Sequence, residues 1–208
     1  MKKIYIFRHG ETEFNKLGIM QGRSIDIGLN NHGKEQAKSF FYYYNHIPFE
    51  LIISSELKRS RESIGMFINK GIPHIIDERI TEISWGANEG QPMGEDTKQR
   101  FKKMINEWAK GNLEYSIPGG ETGVSLVTRI DSFIEMLKQR QEKFILINTH
   151  GRALKMLVTR LLQQDISMME KYKHHNTGLY LFEQKNNKFS LIKENDISHL
   201  ENRKINDL

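Results

Sequence analysis

A chain of 208 residues that is 38% hydrophobic can fill one substantial core and is too short for two full-sized domains. The absence of cysteine excludes disulfides, thiolate metal sites and cysteine nucleophiles together, and fits a reducing compartment. Lys+Arg 31 against Asp+Glu 26 gives +5, a balance compatible with nucleic acid, an acidic membrane surface or an anionic small substrate; the basic residues are dispersed, with no block of five or six like charges and no basic stretch interleaved with aromatics, which argues against nucleic acid.

In chain order, two lysines lead into a short apolar run at residues 4–7 that stops abruptly at Arg8, His9 and Gly10. The run is too short for a secretory signal, and no stretch approaches the roughly 18 apolar residues of a membrane span, so a soluble cytoplasmic protein is expected, with no membrane partner. Residues 32–45 place Ala37, Phe40, Phe41 and Tyr44 on one helical stripe. The strand-like "ELIIS" at 50–54 ends in "SSELKRSRES", which carries Arg59 and Arg61 into the first turns of a helix, and a further strand is expected at 74–77. Residues 84–121 set several glycines and prolines around a helical "TKQRFKKMINEWAK" and read as a lid-like insertion, with Trp85 and Trp108 packing it.

Residues 122–138 form a second amphipathic pattern through Val124, Val127, Ile130, Ile134 and Leu137. The apolar "FILINT" at 144–149 then runs into His150, Gly151 and Arg152 and a helix bearing Ala153, Leu154, Leu157 and Leu161. His174 and His175 are expected at the surface or the core edge. "GLYLFEQKNNKFSLIKE" reads as two strands around an Asn-Asn turn, and the polar tail at 195–208 as loosely packed. Strands alternating with helices predict a single three-layer α/β/α sandwich over 1–208, with a mostly parallel central sheet and a helical insertion over the active site.

In such a sheet, ligands bind beyond the carboxyl ends of the strands. Two apolar strands here end in histidine beside arginine, and a third ends close to Arg59. If these strands are neighbours, two imidazoles and at least one guanidinium share a pocket. Neither HxH nor HExxH spacing occurs, and arginine beside a divalent cation would be repelled, so the set suits an anion. Against a phosphate about 4 Å away, each guanidinium is worth on the order of 4 kcal/mol at an effective dielectric near 20.

The ordered segments "RHGETEFN", "QGRSID", "SSELKRS", "TEISWGANEG", "PGGET" and "THGRALKML" resemble the motif set of the histidine phosphatase superfamily, which includes cofactor-dependent phosphoglycerate mutases and broad-specificity phosphatases. The resemblance spans roughly residues 1–180. It implies that His9 is the nucleophile, forming a phosphohistidine that water hydrolyses. It further implies that Arg8, Arg59 and His150 clamp the phosphate, that Asn15 completes the clamp, and that Glu82 is the proton donor. Backbone groups around Gln21 and Gly22 and the amide of Gly151 at a helix start would add contacts.

Elementary chemistry agrees with these roles. Attack requires a neutral His9, which neighbouring arginines favour; the Gly10 carbonyl can fix its tautomer; and Glu82 needs a covered pocket or a nearby phosphate to act as an acid. No metal and no cofactor is called for.

Two features depart from the usual pattern: "DIGLNNHG" replaces a Pro-Leu-Thr turn, and Arg152 stands where a small residue is common. Whether Arg61, Arg152 or Glu121 lines the pocket is open, as is a homodimer. The expected activity is hydrolysis of a small phosphorylated metabolite. The alternatives are phosphoglycerate mutase, which the short "ISWGANEG" disfavours, and a non-catalytic regulator binding phosphate or a phosphoprotein.

Overall fold

Residues Ile4 and Ile6 face one side of the first strand, Tyr5 and Phe7 the other, and all four are buried. A strand apolar on both faces needs cover on both, and the core accordingly divides into two clusters separated by the sheet. The computed structural model describes residues 1–201. These form β1 (Lys2–Arg8), α1 (Glu13–Lys16), α2 (Asn31–Tyr44), β2 (Leu51–Ser54), α3 (Lys58–Ile68), β3 (His74–Ile76), α4 (Glu95–Ala109), α5 (Gly123–Gln139), β4 (Phe144–Thr149), α6 (Gly151–Leu161), β5 (Leu179–Lys185), β6 (Lys188–Asp196) and α7 (Ser198–Glu201), with short 3-10 turns between some of them.

One six-stranded sheet runs in the order β3-β2-β4-β1-β5-β6. The pairings β3 with β2, β2 with β4 and β4 with β1 are parallel, whereas β5 is antiparallel to β1 and β6 to β5. Helices α2 and α3 cover one face through Phe40, Tyr44, Ile64 and Phe67. The other is covered by α5 and α6, with Met104 and Trp108 of α4 joining the same cluster. The three-layer α/β/α arrangement with a mostly parallel sheet is therefore as the sequence pattern implied. The ring of Phe40 stacks on Phe7 at 3.9 Å, fastening α2 to β1 directly behind the carboxyl end of that strand.

Two glycines explain how α2 can begin so close to that end. A Cβ on Gly10 would lie 2.5 Å from the Gly33 carbonyl oxygen, and one on Gly33 would lie 2.0 Å from that of Glu11. Only bare backbone fits where the loop after β1 crosses the first turn of α2. The "DIGLNNHG" segment supplies the start signal of α2, Asn30 accepting the Gly33 N–H at 2.8 Å as its N-cap.

Residues 195–201 differ from expectation. Asp196 and Ser198 are hydrogen-bonded to each other, and His199 is only 2% exposed, its ring 5.1 Å from that of Phe40. A polar stretch in sequence gave no hint that one imidazole would plug the end of the α2 core. The rest of the expected tail, residues 202–208, lies outside the described residues.

Candidate active site

The parallel pairing of β1 with β4 sets Arg8 opposite Thr149, and the His9 N–H continues the ladder to the Thr149 carbonyl at 3.0 Å. The next residue on each strand is a histidine. Their ring centroids are consequently 5.1 Å apart, with planes inclined at 55°. Nδ1 of His9 lies 2.7 Å from the Gly10 carbonyl oxygen, which can only accept, so Nδ1 carries the proton and the lone pair sits on Nε2. His150 places Nε2 2.7 Å from Ser55 Oγ, while its buried Nδ1 has no protein partner.

Arg59, in the first turn of α3, is fully buried and donates to the carbonyls of Ile25 at 2.6 Å and Gly22 at 3.1 Å. The "QGRSID" segment thus aims this guanidinium, with Gly22 serving as acceptor. Arg8 donates through Nη1 to the His174 carbonyl at 2.9 Å. Nε of each arginine is buried without a protein partner. Burial lowers the pKa of both, that of Arg59 to about 10, and Glu82 is the nearby carboxylate that opposes this in each case.

Both histidines are held well below the usual imidazole range, first by burial and then by the positive charge of Arg59 and Arg8. Burial outweighs the arginine charge that the sequence alone brings to notice. His174 is likewise pushed down to about 3 and His199 to about 4, mainly by burial. A histidine neutral when folded but ordinary when unfolded lets the unfolded state bind more protons below pH about 6.5. Stability present above that pH is therefore lost as the pH falls through it. Urea unfolding between pH 7 and 5 should show a steadily falling midpoint, above the range where carboxylates titrate, and a flat midpoint would contradict this.

Glu82 packs against the start of α6. Its carboxylate accepts the N–H groups of Ile83 at 3.0 Å, Arg152 at 3.0 Å and Ala153 at 3.1 Å, using donors that a helix N-terminus leaves unpaired. Gly151 lies between Glu82 and His174, since a Cβ there would be 3.6 Å from Glu82 Oε2 and 3.5 Å from the His174 ring. Asn15 caps α1 reciprocally with Thr12, and its Oδ1 accepts from the Thr12 N–H at 3.2 Å. Gln21 donates to Thr12 Oγ1, and its own Oε1 is buried without a protein partner. His9, His150, Arg8, Arg59, Glu82 and Asn15 are thus linked by hydrogen bonds and charge around the ends of β1 and β4.

Three positions left open by the sequence have defined surroundings. Arg152 stacks over Trp85 and Phe101 at 5.7 and 5.3 Å and pairs with Glu170, so it braces residues 84–121. Glu121 is engaged by Arg129 at 2.7 Å, and Arg61 is exposed. His174, half-buried and so at the core edge as expected, packs its ring against Arg8 and Gly151, with Nδ1 3.3 Å from Arg8 Nη1. Sequence reasoning also passed over Ser55, Ser63 and Asn176. Ser55 could have been found from its place at the end of β2; Ser63 accepts the Gly10 N–H and donates to the Arg59 carbonyl. Among the described residues, no group of three or more histidine, aspartate or glutamate side chains is placed to hold a metal ion, and no helix is long and apolar enough to cross a membrane.

Residues 4–197 match the family described as the histidine phosphatase superfamily (branch 1). The chain is 30% identical over 154 residues to fructose-2,6-bisphosphatase TIGAR B of Danio rerio, a match covering 72% of this chain and 56% of that protein. It is 25% identical over 202 residues to phosphoserine phosphatase 1 of Hydrogenobacter thermophilus, covering 96% and 95% of the two chains. The crystal structure of a phosphoserine phosphatase from Entamoeba histolytica, in complex with 3-phosphoglyceric acid, superposes with a TM-score of 0.77 at 27% identity, covering 96% of this chain and all of that one (100%). The chain belongs to the histidine phosphatase superfamily.

Proposed function

We propose that this member of the superfamily hydrolyses a small phosphorylated metabolite through a phosphohistidine on His9. The observation that carries the reading is an imidazole with Nδ1 bonded to a carbonyl and its Nε2 lone pair free, 5.1 Å from a second imidazole and beside the guanidiniums of buried Arg59 and half-buried Arg8. Nucleophile, anion clamp and proton donor then come from a single strand-end cluster.

In the first step Nε2 of His9 attacks phosphorus, forming the P–N bond as the ester P–O bond breaks. The leaving oxygen takes the proton of the Glu82 carboxylic acid, leaving a carboxylate that the amides of Ile83, Arg152 and Ala153 stabilise. In the second step water adds to phosphorus, Glu82 accepts its proton, and the P–N bond breaks to release phosphate. Arg8, Arg59 and His150 face the equatorial oxygens, where charge neutralisation and positioning supply most of the acceleration. Asn15, Gln21, Gly22 and Gly151 shape and extend this clamp. Residues 84–121, braced by Arg152 against Trp85 and Phe101, act as the lid that contacts the leaving group.

The test is a phosphatase screen over phosphoserine, glycerate phosphates, sugar mono- and bisphosphates, nucleotides and phosphopeptides, with mutase activity measured in parallel and a chelator present throughout. Release of inorganic phosphate from one class of small metabolite, undiminished by the chelator, is the expected result. Strict metal dependence, or transfer without release, would overturn the reading.

A further inference from the structure

We infer that the turn at residues 174–177, with Asn176 at its centre, is a positioning element for the catalytic pair, and that residues 195–199 hold it in place. The inference rests on the phosphatase reading for its activity test but not for its geometry. This turn enters β5, which runs antiparallel to β1, so it arrives beside Arg8 and His9 from the far end of the sequence.

It bonds both residues at several points. Asn176 Nδ2 donates to the His9 carbonyl at 3.0 Å and approaches Asn15 Oδ1 at 3.4 Å. The Thr177 N–H donates to the Arg8 carbonyl at 3.0 Å, and Arg8 Nη1 returns a bond to the His174 carbonyl at 2.9 Å. One turn therefore fixes the backbone of the nucleophile, the fork of one clamp arginine and the side chain of Asn15.

The conformation that permits this is unusual. Thr177 has φ 57°, a left-handed geometry that a β-branched residue adopts only when its surroundings compel it. The compelling contacts come from the C-terminal residues. Thr177 Oγ1 donates to the Asn176 carbonyl at 2.7 Å, so it accepts from Nε2–H of His199 at 2.8 Å. Asn195 Oδ1 accepts the His175 N–H at 3.0 Å, and its Nδ2 meets His175 Nδ1 at 2.6 Å. Gly178 is required beneath this bond, because a Cβ there would lie 2.4 Å from Asn195 Oδ1. Buried His199 is pressed against Phe40, which stacks on Phe7 of the strand that delivers Arg8 and His9. The path from tail to nucleophile is thus closed through both hydrogen bonds and packing.

Three variants test it on the full chain with an aryl phosphate. Asn176→Ala is expected to lower kcat about 10- to 100-fold with KM little changed, since misplacement by about 1 Å costs that much. Asn176→Asp, which turns an oxygen toward the His9 carbonyl, should be no better than alanine, and His199→Phe, which keeps the ring against Phe40, should show a smaller loss in kcat. A readout independent of turnover is the ring nitrogen shifts of His9, which Asn176→Ala should move. Loss of stability with wild-type kcat and unmoved His9 shifts in Asn176→Ala, or recovery of kcat in Asn176→Asp, would overturn the role of Asn176. Unchanged kcat in His199→Phe would overturn the role of the C-terminal residues. If the wild-type protein hydrolyses no phosphate ester, the functional reading fails, and the His9 shifts alone decide the positioning role.

Discussion

His9→Ala is expected to reduce kcat for an aryl phosphate by about 10⁴-fold or more, because it removes the atom on which the proposed covalent intermediate would form. The variant should still fold: the ring is buried, but its hydrogen bond is to the adjacent Gly10 carbonyl, so no distant element loses a partner. Removing the neutral His9 ring leaves Arg8, Arg59 and His150 in place. Inorganic phosphate should therefore still bind while turnover vanishes, whereas vanadate, which would bond the missing Nε2, should bind more weakly. Substantial residual turnover, with the rapid-quench phosphoenzyme still acid-labile, would show that another residue is the nucleophile.

Glu82→Gln should divide substrates by leaving group. An alkyl phosphate, whose oxygen departs only when protonated, is expected to lose about 10²- to 10⁴-fold in kcat, whereas an activated aryl ester needs little protonation for the first step and should lose far less there. Glutamine is chosen over alanine because the carboxylate also terminates α6: its oxygens accept the Arg152 and Ala153 amides, and the carboxamide oxygen of glutamine can keep part of that interaction. Burst kinetics with the aryl ester would separate phosphorylation from hydrolysis, and the second step should slow because the base is gone. Equal losses for both substrates in the first step would remove Glu82 from the role of acid.

What the sequence made legible follows from how each feature is encoded. The strands ending at Arg8 and Thr149 are continuous apolar runs followed at once by charged or titratable residues, a local pattern that needs no tertiary knowledge. His9, His150, Arg59 and Glu82 lie within short motifs, and the structure gathers all four. The contribution of Asn176 was not legible, because its bond to His9 joins positions separated by 167 residues, and within its own segment it reads as an ordinary turn residue. The contact of His174 with Arg8 was hidden for the same reason, since nothing local to "KYKHHN" says that the turn is folded back over that residue. Arg152 was undecided because its direction depends on Trp85 and Phe101, which belong to a distant segment. Residues 195–201 depart from the expected looseness because polarity signals solvent exposure on average, and His199 is an exception that only the shape of the α2 core could reveal.

The pairing of Arg8 with Thr149 makes the gap between the two imidazoles a property of the sheet. Adjacent strands lie about 4.8 Å apart, and the ring centroids are 5.1 Å apart, so the backbone lattice acts as a ruler for the site. Such a ruler has no fine graduations: the smallest slip of either strand shifts a histidine by about 3.3 Å and turns it to the opposite face. Divergence in a protein built this way is confined to parts that do not carry the scale. In the proposed reaction the phosphorus-facing groups stay fixed, while the solvent-facing parts of residues 84–121, outside the core cluster that Met104 and Trp108 join, can be rewritten for a different leaving group.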